Sequence, residues 1–227
     1  MPSPGLAMYN LLLIPTFAPA LPDSARDAAF AVMAQAAATL TGAGSTLVQP
    51  TLSGVYNGGD LICRVGFADR SACEAALAGA GWAPAEALLA DRAVVSHCER
   101  VHYEGGSSGG TSQRAGLYRV ALFCANVRPD AERLAAFSAD TAAMPRHVRT
   151  IRRWQLSPAH EAGGTRRWTH VWEQEYDDRA GLEGAYMAHP IHWALVERWF
   201  DPEYPEWLVD PVLVHSFCDF DSPVIVD

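Results

Sequence analysis

Three histidines and a tyrosine stand close together in the stretch Trp168 to His192, WTHVWEQEYDDRAGLEGAYMAHPIH. Imidazoles titrate at about 6.5 when unperturbed, and a phenol donates a strong hydrogen bond. Together they suit proton abstraction beside a carbonyl group. His192 is positioned to be the general base, Tyr186 to donate to the enolate or alkoxide oxygen that develops, and His170 to orient the substrate or relay a proton. His189-x-x-His192 with His170 or Glu173 also has a spacing that metal sites use. It lacks a convincing third ligand, and Pro190 distorts the i, i+3 geometry, so neither a metal nor a cofactor is expected.

A histidine in isolation is more often a satisfied core group than a catalyst, and His189 is read as a helix-entry residue. Tyr186 and His192 are six residues apart, about 1.7 helical turns, so a straight helix does not put them on one face. They meet only if the helix breaks at Pro190, which disfavours helix at His189 and suits the first turn of a new segment. Trp172 and Trp193 belong to an aromatic cluster with Trp168, Trp199 and Phe200; most of these read as core aromatics, and Trp172 and Trp193 would wall a pocket for a flat substrate.

Those residues need a scaffold. Tyr9 to Ile14 has strand length and an apolar run, and a helix follows from Asp23 or Ser24 to about Leu40. Thr46–Leu52 and Leu61–Phe67 are strands around the turn signal NGGD. Asp69 opens a second helix that GWAP interrupts, and Ala93–Tyr103 is the fourth strand. Leu117–Cys124, Pro129–Met144, Ile151–Leu156, Trp168–Tyr176, a helix from Asp178, and Val212–Phe220 repeat that order. Tyr9 and Tyr118, Phe67 and Tyr176, and Glu74 and Glu183 each lie 109 positions apart, which suggests an internal repeat.

The division expected is 1–104, a Gly/Ser-rich flexible linker over 105–116, and 117–227. Two βαββαβ units make the fold class α+β: two ferredoxin-like repeats packed sheet to sheet as an intramolecular barrel. At the offset of 109, Leu61, Leu77, Ala80 and Ala83 replace His170, Tyr186, His189 and His192. One working pocket per chain is therefore expected. His97 and His215 fall at matching places in the closing strands and read as structural, and Arg152, Arg153, Arg166 and Arg167 as solvated, unless one of them meets a carboxylate.

Composition limits the partners. The 227 residues carry a formal charge of −9 and are 49% hydrophobic, a globular balance with no attraction for nucleic acid or anionic lipid. Five cysteines without a CxxC pair suggest buried thiols in a reducing compartment. The first apolar run is too short for a signal peptide or a membrane span, so a cytoplasmic location is expected.

YMAHPIH after the strand WTHVWEQEY resembles the Tyr-x-x-His-Pro-x-His element of the dimeric α+β barrel family (Dabb, stress-responsive A/B barrel), and within it the plant polyketide cyclases. That resemblance implies an active site lined by Tyr186, His192 and His170. A further histidine of those cyclases falls on Arg119, whose fixed charge suits an anionic substrate group. The function implied is a cofactor-independent lyase or cyclase acting on a small aromatic or polyketide-like carbonyl compound. A non-catalytic ligand-binding stress protein, or a cofactor-free monooxygenase or isomerase, are the alternatives. The chain would be an intramolecular pseudo-dimer, with a further homodimer left open.

Overall fold

Apolar residues alternate between two destinations along the central strands, and this decides how the layers stack. The computed structural model describes residues 8–225. In the first half the order is β1 (Tyr9–Phe17), α1 (Asp23–Ala38), β2 (Ala43–Pro50), β3 (Leu61–Phe67), α2 (Arg70–Leu77), α3 (Ala83–Ala90) and β4 (Val95–Glu104). Tyr9, Leu11 and Leu13 of β1 face these helices, packing with Met33, Cys63 and Trp82. Leu12 and Ile14 point the other way and meet Tyr118, Val120 and Leu122 of the second half. The faces of the two half-sheets thus bury each other, which removes their apolar surface from water.

The second half runs β5 (Ser107–Gly110), β6 (Leu117–Phe123), α4 (Ala131–Ala143), β7 (Ile151–Gly163), β8 (His170–Tyr176) and β9 (Val214–Asp219). All nine strands are antiparallel members of one sheet in the order β2-β3-β1-β4-β7-β8-β6-β9, with β5 paired to β7. The architecture is mixed α+β, as expected, but the expected barrel is not closed: the strand order leaves β2 and β9 as ends of the sheet that do not pair with each other. β2 stops at Pro50, which has no N–H to donate. The chain then leaves strand geometry through Gly54, Asn57 and Gly59, all with positive φ. Residues 52–58 instead lie along the free edge of β9: Leu52 donates to Phe217 O at 3.0 Å, and Tyr56 and His215 exchange backbone bonds at 2.9 and 2.8 Å.

Three expectations need correction. The Gly/Ser segment is not wholly a flexible linker, since Ser107–Gly110 pairs with Arg153–Leu156; backbone pairing needs no side chains. Tyr9 lies opposite Phe67, whereas Leu117, not Tyr118, lies opposite Tyr176. The counterpart of Tyr9 is therefore Leu117, and that of Arg119 is Leu11. A slip of one residue changes the face of every side chain, so Tyr118 sits in the inter-sheet core while Tyr9 faces helices. Arg153 is not solvated: it is 9% exposed and donates to the buried Glu175 at 2.9 Å.

Polar groups also cross the inter-sheet core. Arg64 and Glu173, 1% and 0% exposed, pair at 3.2 Å, and Tyr118 and Gln155 donate to the same carboxylate. Full satisfaction of that carboxylate is what makes its burial tolerable.

Candidate active site

The chain after β8 turns at Asp178, whose carboxylate accepts from Gly181 N at 2.9 Å. It then winds as a wide π-helical stretch, Gly181–Tyr186. A Cβ on Gly181 would stand 2.9 Å from that of Thr150, so only glycine lets this turn lie so close to the loop before β7. The helix ends at His189, and a second π-helical stretch runs over His192–Val196. Pro190 explains the break: it clashes with helical geometry at the residue before it. His189 Nδ1 accepts the Ile191 N–H at 3.2 Å, closing the entry to the new segment.

The kink brings Tyr186 and His192 together, ring centroids 5.0 Å apart and 77° between planes. They stand on a cavity of about 240 Å³ between the sheet and these helices, walled also by Arg119, Trp172, Phe123 and His215. Most of the wall is apolar. Among the described residues His192 Nδ1 and Trp172 Nε1 are buried without a hydrogen-bond partner. Trp193 stands at the mouth, 52% exposed, its ring edge-on to His192 at 5.5 Å.

Arg119 enters from β6. Its guanidinium lies 5.4 Å over the Tyr186 ring and donates to Gln174 Oε1 at 2.6 Å. Burial, and then the nearby positive charge of Arg119, push the His192 imidazole down to about 4. The same two causes, with His192 added, take His215 to about 3. Both rings are neutral at pH 7, so each offers one donor and one acceptor nitrogen.

His170 is not brought into this group. It begins β8 on the same face of the sheet, but Phe123 stacks on it at 5.6 Å and 13°, and Phe137 closes it from the side. Phe123 is the cavity wall, and His170 is behind it. Its Nδ1 bonds Thr169 Oγ1 at 2.8 Å, and burial lowers it to about 4.

Sequence reasoning passed over His215 as structural. It lies opposite Ala121 on β9, while the residue opposite the first-half counterpart, Leu13, is Arg100 and not His97. The signal was in VHSFCD, where strand alternation turns His215 and Phe217 to the face of Arg119. Among the described residues no group of three His, Cys, Asp or Glu side chains is arranged to hold a metal ion, and no helix is long and apolar enough to cross a membrane.

The fold is shared with solved structures of low sequence identity. An anthrone oxidase-like protein superposes with a TM-score of 0.69 at 14% identity, covering 95% of this chain and 92% of its own. A provisionally assigned monooxygenase from Fusobacterium nucleatum gives 0.62 at 6% identity, covering 97% and 100%. Chlorite dismutase from Candidatus Nitrospira defluvii gives 0.54 at 14%, covering 92% and 90%. No curated protein matches the sequence. Residues 117–210 match the model of the Stress responsive A/B Barrel Domain.

Proposed function

We propose that the cavity of the second half binds a small aromatic or polyketide-like carbonyl compound and carries out cofactor-independent acid–base chemistry on it, of the lyase or cyclase kind. The observation that carries this reading is the pairing of Tyr186 and His192 at 5.0 Å on one apolar wall, with the His192 Nδ1 unengaged by protein. His192 takes the proton, Tyr186 donates to the oxygen on which charge develops, and Arg119 draws that charge. Burial chiefly holds His192 down, and a negative charge arriving beside Arg119 offsets the repulsion that adds to it, which raises its affinity for the proton as the reaction needs it. Trp172 and Trp193 flank a flat ring. His170 acts indirectly, as the support of Phe123.

A cofactor-free monooxygenase is the second reading, favoured by the fold shared with the monooxygenase-like and anthrone oxidase-like proteins. Both reactions begin by ionising the substrate, so they diverge only afterwards. Turnover of a panel of phenolic ketones, aldehydes and acids, with oxygen consumption recorded, separates them. His192→Ala is expected to lower kcat by about 10²–10⁴-fold, and Tyr186→Phe by about 10²-fold. Unimpaired turnover in both variants sinks the acid–base reading. Oxygen consumed in step with substrate moves the assignment to the oxygenase.

A further inference from the structure

We propose that Arg119, His192 and His215 form an oxyanion subsite, so that the cavity selects compounds with an acidic phenol or enol oxygen and holds that oxygen as its anion. This rests on the acid–base reading and names its substrate class, with His215 as a residue of the site that the Tyr-x-x-His-Pro-x-His element does not include.

Charge makes the first argument. Arg119 is 7% exposed, yet it forms no ion pair among the described residues. Besides the Tyr186 ring under it, its one side-chain hydrogen-bond partner is the neutral amide of Gln174, and its Nε is buried without a partner. Buried charges are ordinarily paired because the desolvation cost is otherwise uncompensated. The counterpart of this buried cation has to come from what fills the cavity. The other buried cations of the molecule, Arg64 and Arg153, each meet a carboxylate.

Unpartnered atoms make the second. His192 Nδ1 and His215 Nε2 are both buried without a hydrogen bond, and both residues wall the same cavity as Arg119. Orphans are rare in folded proteins, and here they gather around one space. On β6 and β9, Arg119 lies opposite Phe217 and Ala121 opposite His215, which makes Arg119 and His215 diagonal neighbours on one face, within reach of a common atom. A neutral imidazole accepts from the O–H of the acid and donates to the anion.

Position makes the third. His215 is held by two backbone bonds to Tyr56, and Ser216 donates to Gly58 O at 2.7 Å. A Cβ on Gly58 would stand 2.8 Å from His215 O, so the first half clamps this strand tightly. In the first half the register counterpart, Arg100, is committed to Glu86 at 2.8 Å, and the feature is absent there. On binding, the ligand O–H bond breaks, its electron pair stays on oxygen opposite Arg119, and the proton leaves to solvent.

The test is titration of p-nitrophenol with the full chain at a pH just below the ionisation midpoint of the free phenol. Its phenolate absorption band reports ionisation, and tryptophan fluorescence reports occupancy. Wild type should raise the phenolate fraction of bound probe well above that of free probe. Arg119→Gln should abolish the gain, and His215→Phe should weaken phenolate binding about tenfold, with His215→Asn intermediate. Melting curves identify variants that fail to fold, and the Asn variant then carries the comparison. Quenching without a phenolate gain, no quenching at all, or a His215→Phe or His215→Asn titration equal to wild type each overturns the proposal. Turnover retained by His192→Ala and Tyr186→Phe would instead overturn the acid–base reading and leave this binding result standing.

Discussion

The layer between sheet and helices is built twice in this molecule, solid in the first half and hollow in the second. In the first, Trp82 is fully buried among Leu13, Cys63 and Met33, its indole N–H donating to Glu86 at 2.7 Å. In the second, Ala121 stands at the register position of Leu13, and Tyr186 and His192 stand where the offset of 109 puts Leu77 and Ala83. Side chains that would fill the space are replaced by smaller or polar ones. The difference teaches that the same strand and helix plan yields a stabilising core or a binding cavity according to a handful of residues.

Emptying the solid half should be costly. Trp82→Ala is expected to lose about 3–5 kcal/mol, whereas Trp193→Ala, half-exposed at the cavity mouth, should stay within about 1 kcal/mol. Urea denaturation measures both, and equal losses would break the comparison.

Acid should act chiefly on the hollow half. His170 and His192 are held down to about 4 and His215 to about 3. Their folded values lie below the unfolded one, so the unfolded chain takes protons first as pH falls. Their contribution is whole above about pH 6.5, is lost as pH falls below it, and levels off under the folded values. For the well-buried His170 the loss is on the order of 3 kcal/mol. Stability of His170→Phe at pH 7 and at pH 4.5 checks this: the variant should lose less than wild type between the two, and a parallel loss would refute the assignment.

The smallest effect on stability sharpens the contrast. Ala121→Leu places the first half's residue in the cavity and is expected to change stability by less than about 1 kcal/mol, while abolishing p-nitrophenol binding. A loss of stability like that of an overpacked core would mean that the second half is not hollow.

What could be read from the sequence was local. The strand and helix order, the Asp caps at Asp69 and Asp178, and the break before Pro190 follow from short-range chemistry, and they place Tyr186 near His192. Features set by register or by distant packing were not legible. Tyr9 and Tyr118 match in type and offset, yet hydrogen bonding puts them on opposite faces. His170 is cut off because Phe123 lies over it, a contact between strands far apart in sequence. Ser107–Gly110 forms a strand from residues whose side chains carry no strand signal.

The buried pair of Arg64 and Glu173 joins positions 109 residues apart, each three places before the end of its own strand. Equivalent positions that touch lie at an approximate two-fold axis. Were two copies of the second half to dock through this face, Glu173 would meet Glu173; two first halves would set Arg64 against Arg64. Like charges buried face to face cost several kcal/mol, so each half is discouraged from choosing its own kind. The pair sorts the halves, and the single cavity of this protein always comes with the solid half that clamps it.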